Sequence, residues 1–253
     1  MSIAYAIAAG AEFLGWSTSG KPRKVLYIDG EMPAVTMQER LAAIVGGFAQ
    51  QPPANDFFRI LISDLCPQGL PDLGTVEGQA WIDQQVGDAE VVFADNISTL
   101  VRSGKENEAE GWLPVQNWAL RHRRSGRAVA MLHHAGKGGG QRGTSRREDV
   151  LDTVVSLRRP SDYSPDQGAR FEVHFEKARG FHGQAAQPFE ARYEVRDGLA
   201  VWTRTEMVDA ERARVVAALK DGMSIRQAAE ALGMHKSKVE RLRKRAIETG
   251  ELP

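Results

Sequence analysis

Four short apolar runs constrain the fold more than any other feature of the chain: Lys24–Asp29 (KVLYID), Phe57–Ile62 (FFRILI), Glu90–Ala94 (EVVFA) and Ala128–His133 (AVAMLH). They are rich in β-branched and aromatic residues and nearly continuous rather than alternating, as strands buried on both faces of a parallel sheet are. Between them lie Ala34–Phe48, Thr75–Val86 and Glu108–Ser125, each long and periodic enough for a crossover helix. This order predicts an α/β fold with an open, mostly parallel sheet and ligands at the carboxyl ends of its strands. Thr36-x-x-Glu39 reads as a capping box near the first helix. Trp81, Trp112 and Trp118 fall at apolar helix positions and are expected in the core.

After Ser145 the texture changes. Asp152–Arg158, Ala169–Glu176, Phe189–Val195 and Leu199–Trp202 read as strands joined by turn-rich links. Phe171, Val173 and Phe175 alternate with polar residues, which predicts an antiparallel extension of the sheet. A boundary near Thr203–Asp209 leads into a wholly helical end, so the expected division is a core of residues 1–205 and a module of residues 206–253.

Composition narrows the setting. Hydrophobic residues are 42% of the chain, too many for disorder, yet no stretch of about 18 apolar residues occurs to span a membrane. The start lacks a basic n-region and cleavage site, and the single cysteine, Cys66, excludes an intramolecular disulfide, so a reducing cytoplasm is expected. Lys and Arg balance Asp and Glu at 33 each, but from Glu211 onward ten basic residues face six acidic ones. A basic end on a neutral chain points to a polyanion partner or, equally, to a solvated helix face.

Three strands end in polar residues. Val25–Asp29 runs into Gly30-Glu31, Val91–Ala94 into Asp95-Asn96, and Met131-Leu132 into His133-His134. Each alone is a weak signal, since Asp and Asn often terminate strands, and Asp29 reads as such a turn residue. The two histidines point to opposite faces of their strand, so one of them is expected to face a site. They lack a third ligand at zinc-binding spacing.

Together these segments resemble a RecA-like ATPase of the plasmid RepA-type hexameric replicative helicase group, with kinship to the DnaB-type helicases. VLYIDGE is similar to the strand ending in the catalytic glutamate, which implies that role for Glu31. VVFADN resembles a Walker B strand, implying that Asp95 holds Mg²⁺. HHAGK resembles the strand-end sensor, implying that His133 or His134 reads the γ-phosphate. Gly140–Ser145 resembles the group's RG-S/T-S loop, with Arg142 contacting a neighbour's nucleotide or DNA. Lys177-Ala-Arg179-Gly-Phe-His-Gly183 resembles the K-x-R-x-G segment whose lysine and arginine reach across the ring interface. The likeness spans about residues 1–195. It implies ATP and Mg²⁺ as cofactors, a homo-oligomeric and hexamer-like ring, and a motor of a plasmid, phage or integrated element. These roles suit phosphoryl transfer to water, which needs charge neutralisation, a metal ion and a group that orients the water.

One expected part is missing. No G-x-x-x-x-G-K-[ST] string occurs, and Gly136–Gly140 places its lysine before its glycines, after the sensor strand. Met1–Gly10 resembles the last turns of the helix that follows a P-loop. A misplaced start, a truncated gene and a naturally P-loop-free protein all fit, and as written the chain is expected to bind ATP poorly. A non-catalytic DNA-binding replication or transcription regulator with a degenerate nucleotide site is the competing function.

The end of the chain carries a helix-turn-helix pattern. Ala213–Lys220 stops at Asp221-Gly222, Ser224-x-x-Gln227 is a capping box opening Ile225–Leu232, and Gly233 makes the turn. Val239, Leu242 and Ala246 form the apolar stripe of a last helix. The spacing resembles resolvase-like and sigma-factor-like modules. That resemblance implies Lys236, Ser237, Lys238 and Arg241 near the major groove and Arg243, Lys244 and Arg245 on phosphates. His235 stands where relatives carry a Ser or Thr cap, and a basic three-helix oligomerisation element is the alternative.

Overall fold

A computed structural model describes residues 1–18, 20–103, 109–134 and 149–252. The chain forms two compact units, Met1–Leu151 with Val195–Ala200, and Asp152–Glu194 with Val201–Pro253.

The first unit is built on four parallel strands, β1 (Val25–Asp29), β2 (Phe58–Ile62), β3 (Val91–Asp95) and β4 (Ala128–Met131), in the order β2-β1-β3-β4. Every residue of β1 is buried, which explains its unbroken apolar run. Its side chains alternate between two cores. Leu26 and Ile28 join Val92 and Ala94 against α3 (Val76–Val86) and α5 (Ala109–Arg124), through Ile82, Val115 and Trp118. Val25 and Tyr27 join Phe93 against α1 (Ser2–Ala9) and α2 (Ala34–Gly47), through Ala4, Ala8 and Met37. Fully burying one such Leu, Ile or Phe is worth about 1.5–3 kcal/mol. The expected open α/β sheet is therefore present, and Trp112 and Trp118 are buried with Trp81 packed beside them.

The Thr36-x-x-Glu39 capping box is not formed. Helix α2 begins two residues earlier, at Ala34, so Thr36 lies inside its first turn. The opening amide is satisfied from outside the helix: Ala34 N donates to Asp64 Oδ2 at 3.0 Å. A deeper polar cluster locks α3 to α5. Asp83 accepts from Trp118 Nε1 at 2.7 Å and from Arg121 Nη2 at 2.7 Å, and lies 3.0 Å from His122 Nε2. Burial pushes the Asp83 carboxyl up, but these hydrogen bonds together outweigh it and leave the group below its ordinary range. Burial also lowers His122, against the pull of Asp83.

The antiparallel sheet comprises β5 (Thr153–Arg158), β6 (Ala169–Ala178), β7 (Phe189–Arg196) and β8 (Leu199–Glu206) in sequential order. β8 runs four residues past the expected Trp202, and Arg204 stacks on Phe189, 4.2 Å from its ring. The helical module follows at once: α6 (Met207–Lys220), α7 (Ile225–Ala231) and α8 (Lys236–Glu248). Val215, Ala218, Ala228, Ala229, Val239 and Leu242 form its core.

A buried ion cluster joins α6 to the sheet. Glu172 of β6 and Glu190 of β7 are register partners. Arg214 of α6, 5% exposed in its side chain, donates Nη2 to Glu172 at 2.9 Å and to Glu190 at 3.3 Å. Arg170 grips both oxygens of Glu190 at 2.9 Å and donates to Asp162 at 3.1 Å. Two guanidinium groups thus neutralise facing carboxylates that could not otherwise be buried together.

Candidate functional site

The parallel register sets the site. Asp29 and Asp95 are direct partners at the carboxyl ends of β1 and β3. Gly30 N donates to Asp95 O at 2.8 Å, and a Cβ on Gly30 would meet Thr99 Oγ1 at 2.4 Å, so only glycine fits between the strand ends. The buried Asp29 is a turn residue, as expected: its Oδ1 accepts from Glu31 N at 2.9 Å and Met32 N at 2.6 Å. That turn presents Glu31 outward, its side chain 56% exposed.

Glu31, Asn96 and His134 meet. The Asn96 amide donates to Glu31 Oε2 and lies 3.0 Å from His134 Nε2, which is itself 3.4 Å from Glu31 Oε2. Asn96 is 3% exposed, and its Oδ1 accepts from Thr99 N at 3.2 Å as the cap of α4 (Ile97–Leu100). That cap bond fixes which end of the amide faces the site. Of the two histidines, His134 joins the group. Asn96 was visible in the sequence only as a strand terminator, although its place before Ile-Ser-Thr is also that of a helix cap.

Asp95 has a different neighbour. The Tyr27 hydroxyl donates to its Oδ2, and Tyr27 lies buried against Phe93, with ring centroids 5.8 Å apart. Burial, reinforced by Asp95, pushes the phenol well above its ordinary range, so it remains a donor. Among the described residues no donor occupies Asp95 Oδ1, and no group of three or more His, Cys, Asp or Glu is arranged to enclose a metal ion. One carboxylate oxygen at a strand end suits Mg²⁺, which keeps several waters and is completed by substrate phosphates. An open cleft beside Glu31 is lined by Gly30, Met32, Pro33, Ser63, Asp64 and Cys66.

The remaining candidates belong to other segments of the chain. Lys177 and Arg179 belong to the second unit. Lys177 pairs in register with Val154, while Arg179 is exposed, its N donating to Asp152 O at 2.8 Å. Arg142 and the glycine-rich 136–140 segment lie outside the described residues.

In the helical module the Ser224–Gln227 capping box is formed. His235 caps α8 through its ring: Nδ1 accepts from Ser237 N at 3.4 Å. With Val239, Leu242 and Ala246 buried, a rotation of about 100° per residue puts Ser237, Arg241 and Lys244 on the opposite, exposed face. Arg243 and Arg245 are exposed on its flanks. Lys236 lies 3.6 Å from Glu240, and Lys238 turns inward, its Nζ 2.6 Å from Glu211 on α6. No helix among the described residues is long and apolar enough to cross a membrane.

Comparison with known proteins agrees with this layout. A family model described as an AAA domain matches residues 1–140, and one described as a homeodomain-like domain matches residues 207–252. No curated protein matches the sequence. Among solved structures, the fold is similar to that of a KaiC-like protein from the hyperthermophilic archaeon Pyrococcus horikoshii. The TM-score is 0.50 at 15% identity, over 78% of this chain and 80% of that one. At that identity the likeness bears on fold alone, and it bears out the expected RecA-like α/β architecture.

Proposed function

Because this chain belongs to the AAA domain family, we propose that it is an ATP-hydrolysing DNA motor of the replicative-helicase kind, serving a plasmid, phage or integrated element. The observation that supports this reading is the convergence of Glu31, Asn96 and His134 at the ends of β1, β3 and β4, with Asp95 beside them. Glu31 accepts one hydrogen bond from Asn96 and keeps its other oxygen for an attacking water. As that water bonds to the γ-phosphorus and the bond to ADP breaks, the carboxylate takes the proton. His134, 3.4 Å from Glu31, would offer a hydrogen bond to that water or to a phosphate oxygen. Asp95 would hold Mg²⁺ through the oxygen that Tyr27 leaves open, and the ion, when bound, neutralises charge on the triphosphate.

In this proposal Lys177, Arg179 and Arg142 complete a neighbour's site in a homo-oligomeric, hexamer-like ring, where a cation supplied in trans is worth ~10³–10⁵ in rate. Residues 206–253 bind DNA, with Ser237, Arg241 and Lys244 toward the groove and Arg243, Arg245 and Lys236 toward phosphates.

The test is steady-state ATP hydrolysis by the wild-type protein and Glu31→Gln, with and without DNA. Loss of a general base lowers turnover by about 10²–10⁴-fold. Equal rates would remove Glu31 from the mechanism. One observation favours a second reading: the sequence contains no G-x-x-x-x-G-K-[ST] string to cradle phosphates. In that reading the protein is a DNA-binding replication or transcription factor with a silent nucleotide site. DNA binding without any ATP turnover would decide for it.

A further inference from the structure

We propose that Asn96 is a positioning residue that sets the tautomer of His134 and the orientation of Glu31, an inference that rests on the hydrolytic reading for its consequence but not for its geometry. The amide cannot flip without losing its cap, because Oδ1 accepts from Thr99 N at 3.2 Å. Its N–H₂ end is therefore committed to the site, where one hydrogen goes to Glu31 Oε2 and the other points to His134 Nε2 at 3.0 Å. A ring nitrogen that receives an N–H must carry a lone pair, so His134 bears its proton on Nδ1. Two consequences follow. The donor that His134 offers to a phosphate oxygen is Nδ1–H, not Nε2–H. Glu31 is also held by a neutral amide rather than by the imidazole 3.4 Å away, so its charge stays available to water.

Asn96 is almost fully buried and bonded in three directions, so a truncation could act through folding alone. Asn96→Asp separates the roles. Aspartate is an equally good cap for α4, but it has no N–H to give to Glu31 or His134.

The experiment is ¹⁵N NMR of the imidazoles in the nucleotide-free protein, with His134 identified by the loss of its signals in His134→Ala, together with ATP turnover. Wild type should show His134 as the Nδ1–H tautomer, and Asn96→Asp should abolish that tautomer while still unfolding in one cooperative transition. If hydrolysis is sensitive to Glu31→Gln, Asn96→Asp should cut kcat about 10- to 100-fold, the size of one hydrogen bond to a charged group, with KM for ATP little changed. An unchanged His134 tautomer in Asn96→Asp overturns the proposal, as does unchanged kcat in an enzyme that needs Glu31. Absence of hydrolysis in wild type would overturn the hydrolytic reading instead, and the NMR signal would still decide the role of Asn96.

Discussion

Glu31 Oε2 and His134 Nε2 stand 3.4 Å apart although 103 residues separate them in the chain. Only the parallel register of β1, β3 and β4 brings those strand ends together. The imidazole is exposed, so in the proposed mechanism it serves the substrate more than the fold. His134→Ala should therefore leave the melting temperature within about 1 °C, since surface substitutions usually cost less than about 0.5 kcal/mol. ATP turnover should fall by at least about 10-fold. Differential scanning fluorimetry beside a coupled ATPase assay checks both, and a stable variant with full turnover would exclude His134 from the site.

The ion cluster around Arg214 makes a sharper stability prediction. Removing one partner of a buried pair leaves charge uncompensated and costs about 3–5 kcal/mol. Arg214→Ala takes the guanidinium from Glu172, 13% exposed, while Arg170 still holds Glu190, and should lose stability toward the lower end of that range in urea unfolding. A loss below about 1 kcal/mol would mean that the cluster is open to water.

Acidification should weaken the first unit in two steps. The His122 pKa is lowered by burial, so the unfolded chain takes up protons first. Stability from His122 is full above its ordinary pKa of about 6.5 and declines as the pH falls from there toward the lower, folded value. Asp83, also lowered, adds stability that is present above about pH 4 and lost as the pH drops through its folded value. Melting temperature followed from pH 8 to 3 by the fluorescence of buried Trp118 should decline first below about pH 6.5. His122→Gln should flatten that first decline and leave the second.

Lysines and arginines of α8 should not contribute equally to DNA binding. Arg243 and Arg245, assigned to phosphates, are exposed, whereas Lys238 is tied to Glu211. Each phosphate contact removed lowers the salt slope of the binding constant by about 0.9. Arg243→Ala and Arg245→Ala should weaken affinity and flatten that slope, and Lys238→Ala should cost module stability with little change in slope. Equal effects of all three in fluorescence anisotropy titrations would reject this arrangement of the helix.

The parallel sheet was legible because burial on both faces forces unbroken apolar runs such as VLYID, and its polar ends mark where those runs leave the core. The last helices were legible because Ser224, Gln227 and Gly233 report local geometry. What the sequence concealed depends on contacts distant in the chain. Asp64 caps α2 from another element, so Thr36 misled as a local signal. Arg214 looks like any polar helix residue until Glu172 and Glu190 are brought beneath it. Asn96 reads as punctuation after a strand, and only the meeting of three strand ends turns its amide toward Glu31 and His134.

The most direct test of the account is a crystal structure of the protein grown with Mg²⁺ and a non-hydrolysable ATP analogue. The account predicts the terminal phosphate at the carboxyl ends of β1, β3 and β4, within hydrogen-bonding reach of His134, with the metal on the Asp95 side and Glu31 facing the γ-phosphorus. A triphosphate bound away from these three strand ends, or none bound at millimolar concentration, would contradict it.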